Sequence, residues 1–95
     1  MKALSRVSNY AMVLDRAERY FGKYTAIFLS TEKNKKYMVF DGSKWRHFGD
    51  IRYPDYTYHR DEERRARYRK RAMNIPGHWR ADPYSPNNLA LNLLW

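Results

Sequence analysis

Lys36-Tyr37-Met38-Val39-Phe40-Asp41-Gly42-Ser43-Lys44-Trp45-Arg46-His47-Phe48 is the stretch on which the fold turns. Two runs rich in β-branched and aromatic residues flank Asp41-Gly42, a strong signal for a tight reversal of the chain, so the stretch predicts an antiparallel hairpin. A two-residue loop would set Met38 opposite Trp45. A three-residue loop would set Val39 opposite Trp45 and Tyr37 opposite His47, and one slip exchanges the two faces. The longer loop is preferred because it gathers Tyr37, Val39 and Trp45 on the side that meets a helix. It leaves Lys36, Lys44 and Arg46 on the other side as a basic sheet face. Upstream, Tyr24–Thr31 has the same strand character and reaches Lys36 through Glu32-Lys33-Asn34-Lys35, which predicts three strands over 24–31, 36–40 and 44–48.

Helices are expected on both sides of this sheet. Val7, Tyr10, Ala11, Leu14, Ala17 and Phe21 recur three or four apart and define an amphipathic helix over about 8–21, with Ser5 or Ser8 as its cap and Gly22 as its stop. Beyond the sheet, 49–58 is a loop by its Gly, Pro and Asp content, and its tyrosines make it one that packs. His59 to Met73 then concentrates charge. Acids come first (Asp61, Glu62, Glu63) and bases follow (Arg64, Arg65, Arg67, Arg69, Lys70, Arg71), the order favoured by the helix dipole, with Asp61 as N-cap and Asp61/Arg65 and Glu63/Arg67 as pairs. Tyr68, Ala72 and Ile75 form only a thin apolar edge. After the breaker Pro76-Gly77 and an irregular segment, Ser85-Pro86 caps a short helix that carries Leu89, Leu91, Leu93, Leu94 and Trp95. The predicted class is α+β, one small domain over 1–95: an N-terminal amphipathic helix, a three-stranded antiparallel sheet, a basic helix and a short C-terminal helix.

A net charge of +9 favours an acidic partner. At 17% the aromatics are too many for a disordered basic tail. No cysteine is present, which excludes a disulfide framework and thiolate metal sites. No apolar run approaches the roughly 20 residues of a membrane-spanning helix, and Met1-Lys2-Ala3-Leu4 lacks the apolar core of a signal peptide, so use on the cytosolic side of membranes is expected. The residues that would meet an acidic partner are Arg60, Arg64, Arg65, Arg67, Arg69, Lys70 and Arg71 on the helix, joined by Lys36, Lys44 and Arg46 on the sheet. Leu93, Leu94 and Trp95 offer an apolar interface anchor, although folding back on the sheet is the preferred destination of that end.

Chemistry finds little support. His47, His59 and His78 have neither helical pairing nor zinc spacing, so no metal is expected. Asp50, Asp55, His59 and Asp61 would make a nuclease-like cluster only if the loop brought them together, which no spacing demands. The glycines stand singly in separate turns and form no phosphate loop. Base stacking on the tyrosines is disfavoured because no paired aromatic platform on adjacent strands is evident. A non-enzyme without cofactor is the reading.

Several blocks carry a resemblance: Asn9-Tyr10-Ala11-Met12-Val13, Tyr20-Phe21-Gly22-Lys23, Lys44-Trp45-x-His47-Phe48-Gly49, Asp55-Tyr56-Thr57-x-His59-x-Asp61-x-x-Arg64-x-x-Arg67-Tyr68, and Tyr84-Ser85-Pro86 through Leu93-Leu94-Trp95. Together they resemble a family of small basic proteins encoded by nucleocytoplasmic large DNA viruses, the giant viruses, over nearly the whole chain. Met73–Asp82 departs from that pattern. The resemblance implies a structural virion component found in the virion, and in host cytoplasm during assembly: a minor capsid or cementing protein whose partners are other viral structural proteins with acidic surfaces. The alternative is a sequence-independent nucleic-acid-binding protein on the viral genome, DNA or RNA, or its transcription machinery. The resemblance implies no enzyme activity.

Overall fold

The structure is a computed structural model that describes residues 3–95; Met1 and Lys2, which open the start read above for a signal segment, lie outside the described residues. The fold is α+β, with four α-helices and a three-stranded antiparallel sheet of order β1-β2-β3 among the described residues.

After a 3-10 turn at Leu4–Arg6, helix α1 spans Tyr10–Phe21. Its cap is Asn9, whose side chain accepts from the Met12 N–H, rather than Ser5 or Ser8. Ser8 is buried and engaged elsewhere, its hydroxyl 3.2 Å from that of Thr57. Gly22 ends the helix in the left-handed conformation, with its N–H donating to the Glu18 carbonyl. The buried face runs through Val13 and Ala17, with Leu14, Tyr20 and Phe21 packed beside them, so Val13 takes the place expected of Ala11.

Strand β1 is only Phe28–Leu29, far shorter than 24–31. The Tyr10 hydroxyl takes the Ile27 carbonyl at 2.5 Å, and the Thr25 hydroxyl bonds back to the Lys23 carbonyl. Side chains thus satisfy polar groups before a longer ladder can start. Strands β2, Lys35–Phe40, and β3, Trp45–Asp50, pair with Phe40 opposite Trp45, Met38 opposite His47 and Tyr37 opposite Phe48. Neither anticipated register forms, because the loop holds four residues. Asp41 closes it, its carboxylate accepting from the Ser43 and Lys44 N–H groups at 2.8 Å while its own N–H donates to the Lys44 carbonyl. Tyr37, Val39 and Phe48 consequently face the core, and Trp45 faces outward with Phe28 and Phe40.

The charged stretch forms one helix, and the segment 49–58 that reads as a loop ends in a short helix of its own. Helix α2 spans Tyr56–His59 with Asp55 as its cap, Arg60 takes a left-handed conformation, and helix α3 spans Glu62–Met73 with Asp61 as its cap. A 3-10 turn at Trp79–Ala81 leads to α4, Pro86–Leu89, capped by Ser85. The chain continues as a π-helical stretch at Ala90–Leu94, where the Trp95 N–H reaches the Ala90 carbonyl five residues back.

That end closes the core. Leu89, Leu91, Leu93, Leu94 and Trp95 are all buried, and all of them but Leu91 group with Val13, Ala17, Ile27, Tyr37, Val39 and Phe48. Leu93, Leu94 and Trp95 are therefore not a partner anchor; they are the inner surface of this domain. Helix α4 alone is too short to persist in water, so this burial gives it order. Gly49 permits the approach. At φ +83° a Cβ there would stand 2.9 Å from Leu94 Cδ1 and 3.0 Å from Lys36 Cβ.

A buried polar node fastens the chain's early segments together. Lys36 and Asp55, 3% and 0% exposed, pair at 2.9 Å. Asp55 also accepts from the Thr57 N–H at 3.0 Å and from the Thr57 hydroxyl, and its own N–H donates to the Val7 carbonyl. The Asn9 N–H donates to the Thr57 hydroxyl oxygen at 3.0 Å. Burial pulls the Lys36 ammonium below its ordinary pKa, and Asp55 works against that shift.

Two stability measurements follow from this packing. Asp55→Ala should cost about 3–5 kcal/mol in urea titration, since it strands a buried ammonium. Leu93→Ala should cost about 2–5 kcal/mol through the cavity it leaves. A loss below about 0.5 kcal/mol in either would show that the node or the tail does not hold the fold.

Candidate functional site

Helix α3 divides its bases by the face on which each falls. Asp61 accepts from the Glu63 and Arg64 N–H groups, which hold its carboxyl below the usual range. It is committed to the cap, so the expected Asp61/Arg65 pair does not form. Arg65 instead lies 3.7 Å from Glu62, stands over the Tyr56 ring at 4.7 Å, and donates from Nε to the Trp95 carbonyl at 2.6 Å. Arg69 donates to the Leu91 carbonyl at 2.9 Å. These two expected partner-binding residues therefore brace the C-terminal tail. Nearby, Arg16 is held below its ordinary pKa, first by burial and then by Arg65 and Arg69. Glu63 and Arg67 make the expected pair at a loose 4.0 Å. The thin edge packs Tyr68 and Ala72, while Ile75 lies beyond the helix and is exposed.

Arg64, Arg67 and Arg71 line one cleft of about 500 Å³, shared with Gly49, Tyr53 and the stacked rings of Tyr68 and Trp95, whose centroids are 4.2 Å apart. Arg64 and Arg71 have no carboxylate within 4.0 Å among the described residues. Lys70 and Arg60 are exposed, Arg60 with Nε reaching the Thr57 carbonyl at 3.3 Å. Three guanidinium groups around a half-open cleft are suited to an oxyanion with several acceptor oxygens, such as a phosphate.

The basic sheet face does not exist. Lys36 is sealed against Asp55, and Arg46 lies opposite Val39 on the core side of the sheet, bonded to Asp41 at 2.9 Å and Asp82 at 2.5 Å. Only Lys44 of the three stays exposed. The outward face is aromatic instead. Trp45 packs against Phe28 and Phe40, with centroids at 5.6 and 5.3 Å, so an aromatic platform on adjacent strands is present where none was expected. The four-residue loop is the cause, since it turns Trp45 to that side. Asp41's capacity to cap Ser43 and Lys44 was the signal in the sequence that could have revealed it.

The nuclease-like cluster is dispersed into other roles. Asp50 binds Arg52, Asp55 binds Lys36, Asp61 caps α3, and His59 Nδ1 accepts from the Asp61 N–H. His59 is kept below its ordinary pKa, chiefly by burial and by Arg64. His47 bonds Ser30 at 2.7 Å and Glu32 at 3.0 Å. Among the described residues no group of three or more His, Cys, Asp or Glu is arranged to hold a metal ion, and no helix is long and apolar enough to cross a membrane.

Residues 25–72 match a family of unknown function (DUF5754), and the chain belongs to that family. The matched span runs from β1 through the Asp55 node to Ala72 near the end of α3. No curated protein and no solved structure matches the chain.

The Arg46 hub carries a pH dependence. The Lys44 backbone N–H, the Arg46 guanidinium and the Ser43 N–H hold Asp41 at about 2 against an ordinary 3.8, and Arg46 holds Asp82 low as well. Carboxyls depressed in the fold contribute stability that is present above the ordinary value and lost as pH falls through the folded one. Melting temperature should fall between pH 4 and 2, and Arg46→Met should flatten that fall. An unchanged acid limb in the variant would remove Arg46 from the account.

Proposed function

We propose that this protein is a non-catalytic binding protein that holds nucleic-acid phosphates on the Arg64, Arg67 and Arg71 side of α3, without reading base sequence. One observation carries the reading: among the described residues the carboxylates are occupied within the fold, while Arg64 and Arg71 of the cleft have none beside them and Arg67 holds Glu63 only loosely, at 4.0 Å. Glu18 is the one described side-chain carboxylate with neither an ion pair nor a capping role. The free positive charge is thus directed outward, and phosphate is the ligand that three guanidinium groups fit without any base contact. The resemblance to giant-virus proteins supports a setting in the virion, at the genome or its transcription machinery. A minor capsid or cementing role would use the same arginines on acidic shell proteins, but it lacks the apolar anchor now that Leu93, Leu94 and Trp95 close the core.

Fluorescence anisotropy with labelled oligonucleotides over a salt series tests this. Log affinity should fall steeply with log salt, and changing Arg64, Arg67 and Arg71 to Gln together should reduce the slope by about 2. Base sequence should matter little. A protein that binds neither duplex nor single strand at low salt, yet fractionates with the shell when virions are gently disassembled, would replace this reading with the capsid one.

A further inference from the structure

Phe28, Phe40 and Trp45 stand on three neighbouring strands and are 48%, 48% and 44% exposed. The strand ladder fixes their spacing, and Trp45 touches both phenylalanines, edge-on to Phe28 at 84° and tilted to Phe40 at 57°. The core is closed from the other side of the sheet, by α1 and the C-terminal tail against Tyr37, Val39 and Phe48. Among the described residues the three outward rings stay about half exposed, and contiguous apolar area of this kind marks an interaction surface.

Charge decides what covers it. Two carboxylates around the sheet are matched by arginines, Asp41 with Arg46 and Asp50 with Arg52, and Glu32 lies 3.0 Å from the His47 ring. Lys33, Lys35 and Lys44 are exposed and, among the described residues, have no carboxylate within 4.0 Å. A second copy would bring the same lysines and a further +9 against this face. An anionic partner with flat apolar surfaces is complementary instead. Unpaired nucleobases on a phosphate chain have both properties, whereas a duplex keeps its base faces stacked inside.

Position supports the same partner. By alternation, positions 38 and 40 of β2 and positions 45 and 47 of β3 belong to one side of the strand pair. Lys36 and Gly49 line the arginine cleft, and Phe40 and Trp45 belong to the platform. The two lie at opposite ends of one strand pair, four residues or about 13 Å apart along it. We infer that the outward aromatic face of the sheet is a stacking platform for unpaired bases, so that the nucleic acid held by this protein is single-stranded. The inference rests on the phosphate-binding reading and adds the substrate class to it.

The test compares a labelled oligothymidylate with a duplex of equal length in low salt, using anisotropy, for the intact protein and for Trp45→Ala, Trp45→Phe and Phe28→Leu. Trp45→Phe keeps an aromatic face and controls for the fold. The single strand should bind at least roughly tenfold more tightly than the duplex, and Trp45→Ala should lose roughly tenfold on the single strand alone, as one stacked base is worth. Trp45→Phe should retain most of the affinity, and Phe28→Leu should weaken it. Equal affinity for both nucleic acids with no effect of Trp45→Ala, while the arginine variant still weakens binding, would overturn the platform and leave the phosphate site standing. Absence of all binding would remove both. A dimer in sedimentation that Trp45→Ala dissolves would assign the face to a second copy and overturn the inference.

Discussion

The pairing of Lys36 with Asp55 is the constraint from which the arrangement of this small domain follows. Two buried charges repay their desolvation only when the geometry is good and the remaining acceptors are filled. Here the Thr57 amide and hydroxyl fill them, and the same hydroxyl oxygen takes the Asn9 amide. The node therefore fixes three segments at once: the approach to α1, the start of β2, and the turn that launches α2 and α3. Once α3 is placed, its arginines have only two directions available, inward to the tail or outward to solvent. The family match covers Lys36, Asp55, Thr57 and nearly all of α3, but neither α1 nor the C-terminal tail.

The same residue type does opposite work on adjacent turns of α3. Arg65 and Arg69 cap carbonyls of the tail and lie along aromatic and apolar surface, the long stem and fork of arginine serving as packing material. Arg64 and Arg71 keep their charge unmatched beside the cleft. Composition treats all of them as one basic patch, and only the direction of each side chain separates structural arginines from available ones. Arg46 makes the same point on the sheet, where two carboxylates absorb its charge.

Elements whose signals are local were legible in the sequence. Gly22, Asp61 and Ser85-Pro86 mark helix boundaries through their own chemistry, and the structure places them there. The α+β class and the order of elements followed from them and from the hairpin. What could not be read were outcomes that depend on distant partners. Lys36 looks like a surface lysine until Asp55, nineteen positions on, is folded beside it. Tyr24–Thr31 looks like a strand until Tyr10 claims the Ile27 carbonyl. The register of the β2–β3 hairpin is hidden for a nearer reason. The Asp41 carboxylate organises a four-residue loop, one residue longer than the loop the sequence favours, and that single residue puts Trp45 and Arg46 on the opposite faces. The candidate site was legible on α3 and illegible on the sheet for the same reasons.

The position of the tail in the core also sets when the domain can form during synthesis. Phe48, Tyr37 and Val13 find their inner partners among residues 89–94, so the sheet and α1 have nothing to close on until those residues have been made. Chains grow at about 5–20 residues per second, which leaves a nascent sheet with apolar faces uncovered for several seconds. Over that interval the exposed edge of β3 and the rings of Tyr37 and Phe48 are open to neighbouring chains. With this order of assembly much depends on one step: the docking of Leu89 to Trp95 decides, molecule by molecule, between a closed core and an aggregate.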